Sequence, residues 1–167
     1  NQPITIHHQL ESLKLINFDS PHHDNDYPFV TSDIVSRAII NNPDAKRVFC
    51  MAVTTDFQVD FGKPSTYSSV MNSLAFGEDQ NDKKLFLISV GNIRHEADWA
   101  QYPESNLNLS IESPAQSWNS IGVGAYTGKT LPDRATLAQP FQLSPLSRTS
   151  ASWDSNWPIK PDVVFEG

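Results

Sequence analysis

Gly91-Asn92 closes an apolar run, residues 85–90, which puts a side-chain amide at the end of what reads as a strand. An amide donor held there can hydrogen-bond an oxygen on which negative charge develops. The plainer reading is a tight turn, where Asn tolerates a left-handed backbone and Gly is permissive. His22, His23, Asp24 and Asp26 offer the imidazole and carboxylate groups that metals take. Adjacent residues rarely all point at one ion, so a solvated polar loop accounts for them. His95-Glu96 continues into Ala97-Asp98-Trp99, without the second His of a zinc-binding helix, which places His95 at the surface or on a site's rim. Cys50 lies in Val48-Phe49-Cys50-Met51-Ala52-Val53, and a thiol buried in such a strand is inaccessible and hard to ionise. It reads as a small buried hydrophobe. Gly122-Val123-Gly124 falls inside a strand and lacks the context of a phosphate-binding loop. Trp99, Trp118, Trp153 and Trp157 scatter through loops, as packing under long loops would require.

Alternating strands and helices would position these groups. Residues 13–16 read as a short opening strand, followed by a polar loop over residues 19–27. Thr31 or Ser32 is expected to cap a helix running to about Asn42, with Ile34, Val35, Ala38 and Ile39 on one buried face. Residues 47–54 form a nearly continuous apolar run, as expected of a central parallel strand covered on both faces. Helical spacing returns over residues 65–76, through Val70, Met71, Leu74 and Ala75, and Gly77 supplies the stop. Residues 85–90 and 121–126 read as further strands, with irregular chain over 93–112 and a short helix started by Pro114 between them. Residues 128–161, with Pro132, Pro140, Pro145 and Pro158, should be loop with short edge strands, before a last strand at 162–165. The fold class expected is α/β with an open parallel sheet. The expected organisation is a single domain over 1–167: opening strand, loop and helix (1–46), core strands and helices (47–126), and a loop-rich edge region (127–167).

The chain's 167 residues suit one domain, and 38% hydrophobic residues are enough for a core. A formal net charge of −7, with no cluster of Lys and Arg, excludes the dense basic footprint that nucleic acids and anionic membranes require. No apolar run approaches the ~20 residues of a membrane span, and residues 1–5 lack a signal-peptide layout. A soluble protein is expected. The single cysteine rules out an intrachain disulfide framework and favours a reducing, cytoplasmic compartment.

Three segments, in order, carry a resemblance. Arg47-Val48-Phe49-Cys50-Met51-Ala52-Val53-Thr54 is similar to the central strand of subtilases, the subtilisin-like serine peptidases. Leu85-Phe86-Leu87-Ile88-Ser89-Val90-Gly91-Asn92 is similar to their strand ending Ala-Gly-Asn. Trp118-Asn119-Ser120-Ile121-Gly122-Val123-Gly124-Ala125-Tyr126, Leu143-Ser144-Pro145-Leu146-Ser147-Arg148-Thr149-Ser150 and Lys160-Pro161-Asp162-Val163-Val164 follow the family's V-G-A strand, serine-rich strand and K-P-D-like segment. The resemblance covers residues 47–167. The wording C-M-A-V-T, S-R-T-S and W-P-I-K-P-D looks like a bacterial branch sometimes encoded beside AAA-type ATPases.

The resemblance implies a parallel-sheet three-layer sandwich, incomplete in this chain, belonging to a serine endopeptidase whose substrate is a polypeptide. Asn92 would be the oxyanion-hole donor, with Ala52, Val53 and Thr54 along one side of the substrate cleft and Ser89, Val90 and Gly91 along the other. It implies no catalytic cofactor, while allowing a structural calcium and an AAA-type ATPase as partner. The family's D-[ST]-G, H-G-T and G-T-S-x-A-x-P motifs do not occur: Asp19-Ser20-Pro21 has Pro in place of Gly, and neither His7-His8 nor His22-His23 precedes Gly-Thr. By family order, the chain falls between the His-bearing and Ser-bearing helices. It is therefore expected to be an internal piece, inactive alone, that exposes apolar surface and depends on the remainder of its peptidase domain. The alternative is a non-catalytic module that holds a peptide or protein along the same cleft.

Overall fold

The computed structural model describes residues 5, 7–17, 19, 22–55, 61–77, 82–129 and 136–167. These fall into two compact units, Asn1–Pro43 and Asp44–Gly167. In the first, a 3₁₀ turn at Asp24–Asp26 leads into helix α1, Tyr27–Asn41. The helix begins several residues before the expected Thr31 or Ser32 cap. Pro28 occupies its first turn, where a missing N–H is no loss, so Thr31 becomes an interior, buried residue. Val35 and Ala38 are buried as the spacing predicts, with Ile34 and Ile39 partly so. The expected strand at 13–16 is absent. A strand persists only through its ladder, and no described residue pairs with this segment. Residues 20 and 21 of the polar loop lie outside the described residues.

The second unit is built on four parallel strands in the order β1-β2-β3-β4: Val48–Met51, Leu85–Ser89, Ile121–Tyr126 and Val163–Glu166. Parallel neighbours need long crossovers. The β1-to-β2 crossover carries helix α2, Thr66–Phe76, and the next carries two short helices, α3 (Glu96–Trp99) and α4 (Glu104–Asn108). Helix α2 starts where Ser65 Oγ accepts the Ser68 N–H at 3.0 Å, and it stops at Gly77, whose φ of +78° suits glycine. Tyr67, Met71 and Ala75, spaced four apart, form its buried stripe, and the Tyr67 hydroxyl reaches Met51 Sδ on β1. On β2, Phe86 and Ile88 point into the core, and Phe86 stacks on its register partner Phe49 at 4.9 Å.

Several expectations require correction. Among the described strands β1 is outermost, not central, and its alternation exposes Val48 and Cys50. Cys50 is thus an exposed thiol rather than a buried hydrophobe. Pro114 opens a turn, not a helix. The stretch 93–112 contains α3 and α4, which hydrophobic spacing missed because α3 buries nothing and α4 buries only Ser105 and Asn106. The loop-rich region supplies isolated bridges at Leu143, Ser147 and Thr149 in place of edge strands, and its residues 130–135 lie outside the described set.

Candidate active site at the strand exits

All four strands run the same way, so the segments leaving β1, β2 and β3 emerge at one end of the sheet, where open α/β folds bind ligands. A cavity of about 550 Å³ opens there, lined by Ala52 after β1, by Ser89, Val90, Gly91 and Asn92 at the end of β2, and by Val123, Gly124 and Ala125 of β3. Five residues singled out from the sequence therefore share one wall system. Val53 and Thr54 are not part of that lining. Thr54 turns away and donates its hydroxyl to Glu112 Oε2 at 2.5 Å.

The backbone around Asn92 is held from both sides. Val90 donates to Val123 O at 3.0 Å, Glu112 N donates to Val90 O at 3.2 Å, and Ile93 N donates to Leu146 O at 2.8 Å. Asn92 itself bridges Ser147 in antiparallel fashion. The left-handed conformation belongs to Gly91, with φ of +92°, and not to Asn92. Asn92 is thus extended chain on a short ladder rather than the αL residue of a tight turn. Its side chain is exposed at the cavity's edge and has no hydrogen-bond partner among the described residues.

Behind this chain lies Glu112, only 6% exposed. Its carboxylate accepts from Thr54 and meets Arg148 Nη2 at 3.0 Å and Arg94 Nη2 at 3.4 Å. It also fills the space that a side chain at residue 91 would take: a Cβ on Gly91 would lie 2.7 Å from the Glu112 carboxyl carbon. Residues 110–113 tie the exits together, since Ser113 O accepts from Thr55 N at 2.8 Å while its hydroxyl lies 2.6 Å from that of Ser65 at the start of α2.

The whole chain, residues 1–167, matches the model of the Subtilase family. The chain belongs to the subtilases. No curated protein and no solved structure matches it. Subtilases are serine peptidases, and the parallel sheet with its flanking helices agrees with a subtilisin-like fold. No helix among the described residues is long and apolar enough to cross a membrane.

Among the described residues, the other sequence candidates add no catalytic group to the cleft. Cys50 does line the cavity, without His or carboxylate beside it among the lining residues. His95 is exposed at the start of α3. Trp118 and Trp157 meet edge to face at 5.6 Å, and Trp153 Nε1 donates to Ser110 Oγ at 2.6 Å, so these rings pack loops. Among the described residues no three His, Cys, Asp or Glu side chains gather closely enough to hold a metal. Where a buried carbonyl and a carboxylate do converge, Ser120 O and Asp162 Oδ2, the Lys160 ammonium holds both, at 2.8 and 2.5 Å. That corner does not fit calcium, which takes six to eight oxygens.

Glu112 and Arg148 are the residues that sequence reading missed. A signal was present. Glu112 is the only charged residue between Glu104 and Lys129, and Arg148 the only one between Arg134 and Asp154. A lone charge in a long uncharged stretch has to be paired or solvated, and only the fold shows that these two pair with each other.

Proposed function

We propose that this chain supplies the oxyanion-stabilising part of a serine endopeptidase, with the Asn92 side-chain amide as donor. The observation that supports it is an exposed, unpartnered amide at the edge of a strand-exit cavity, carried on backbone that is fixed on both sides. A peptide substrate lies in the cleft with its main chain between Ala52 on one side and Ser89, Val90 and Gly91 on the other. When a serine oxygen bonds to the scissile carbonyl carbon, the C=O π pair moves to oxygen, and Asn92 Nδ2–H donates to that developing charge. Collapse of the intermediate restores the carbonyl and breaks the C–N bond, and the proton that the base took from the serine hydroxyl passes to the departing amine nitrogen. Water then releases the acyl group from serine.

Nucleophile and base come from the remainder of the same peptidase domain, and without them Asn92 stabilises a charge that never forms. The test is Asn92→Ala in the full-length protein. Removal of one oxyanion donor lowers kcat by ~10²–10³, with KM nearly unchanged because the charge is absent from bound substrate. An unaltered kcat would remove Asn92 from the oxyanion hole, and a full-length protein without any peptidase turnover would leave the cleft as a non-catalytic peptide-binding groove.

A further inference from the structure

We propose that Glu112 and Arg148 are positioning residues that hold Asn92 at the geometry its chemistry needs, an inference that rests on reading Asn92 as the oxyanion donor. Neither side chain lines the cavity. Both act from behind it. The Arg148 guanidinium holds three groups on two segments: Nε donates to Asn92 O at 3.0 Å, Nη1 to Ser110 O at 3.0 Å, and Nη2 pairs with Glu112 Oε1 at 3.0 Å. A planar fork with donors in fixed directions satisfies all three at once. A lysine ammonium, a point charge on a flexible stem, does not reproduce that pattern.

Glu112 extends the connection to the opposite wall. One carboxylate oxygen takes Arg148, and the other takes the Thr54 hydroxyl on the chain leaving β1. The carboxylate also packs against Gly91, where any side chain would collide with it. A single path, Thr54 to Glu112 to Arg148 to Asn92, therefore spans the two sides of the cleft and sets the place of the donor relative to the substrate strand. Both charged side chains are largely shielded, at 6% and 17% exposure, so solvent competes little for the bond between them, while the Arg148 bond to Asn92 O lies at the exposed edge of the site.

An oxyanion donor has to be preorganised, and displacement by about 1 Å can lower turnover by ~10²-fold. Losing the fork should act through Asn92 alone. The experiment is a double-mutant cycle in the full-length peptidase, with Arg148→Lys and Glu112→Gln chosen to keep size and limit unfolding, each made with and without Asn92→Ala. Expected are falls of roughly 10–100-fold in kcat for each single change, with KM within about twofold. In the Asn92→Ala background the same changes should move kcat by less than about twofold, because the group they position is gone. Amide hydrogen exchange at Ile93, measured in the same variants, should quicken while exchange in α2 holds. If Asn92→Ala slows turnover but Arg148→Lys and Glu112→Gln do not, or if their effects persist undiminished without Asn92, the positioning role is overturned and the oxyanion reading survives. If Asn92→Ala itself leaves kcat unchanged, the oxyanion reading fails, and the positioning role with it.

Discussion

The strand exits and the outer strand β4 belong to the same sheet and are finished very differently. At the exits, Thr54, Gly91, Asn92, Glu112, Ser113 and Arg148 are joined by charged and main-chain hydrogen bonds that cross between segments up to 58 residues apart. Strand β4 pairs with β3 over four residues, yet all four of its side chains are exposed, including Val163, Val164 and Phe165. Side chains secure its start, where Asp162 Oδ2 accepts the Gly122 N–H at 2.6 Å and the ammonium of buried Lys160 at 2.5 Å. Val163 and Phe165 share one face, with Phe165 lining the cavity, and Val164 takes the other; exposed apolar surface of this kind marks a place where other protein packs. The contrast suggests a division of labour: the geometry around Asn92 is set inside this chain, whereas the sheet's outer surface is left for covering by something else.

Substitutions break or sharpen that contrast in a definite order. Gly91→Ala should be the most damaging, because alanine at φ +92° is strained and its methyl meets the Glu112 carboxylate. Urea unfolding should show a loss of about 2–4 kcal/mol. Asp162→Ala strands the buried Lys160 ammonium and removes the acceptor of Gly122 N–H. The expected loss is about 2–3 kcal/mol, at the low end for a broken buried pair because the Asp162 side chain is 37% exposed. A smaller effect is expected from Ser65→Ala, which deletes the α2 cap and a partner of the Ser113 hydroxyl, and should lower stability by about 1–2 kcal/mol. Phe165→Ser should change stability by less than about 0.5 kcal/mol while reducing self-association in sedimentation velocity. Should Phe165→Ser destabilise the chain as much as Gly91→Ala, the two regions would not differ in the way described.

How far the sequence disclosed this follows from what each element depends on. Strands β2 and β3 were legible because their apolar runs are continuous, and α2 because cap, stripe and glycine stop agree. The start of α1 was not, since Pro28 rather than a side-chain cap marks it. Helices α3 and α4 carry almost no apolar stripe, so periodicity had nothing to register. Gly91-Asn92 was legible as the end of a strand, where a cavity opens, but the sequence does not say that Gly91 makes room for a carboxylate. Glu112 and Arg148 lie 36 positions apart and meet only through the parallel ladder and the bridges of the exits, so their pairing depends on tertiary structure that no local pattern encodes.

The most direct test of the role proposed for Asn92 is a crystal structure of the whole protein treated with a peptide boronate or aldehyde, whose tetrahedral oxygen stands in for the oxyanion. The oxygen should lie ~2.7–3.1 Å from Asn92 Nδ2, with Arg148 still bonded to the Asn92 carbonyl. An adduct whose oxygen is held by other donors, with the Asn92 amide turned to solvent, would contradict it.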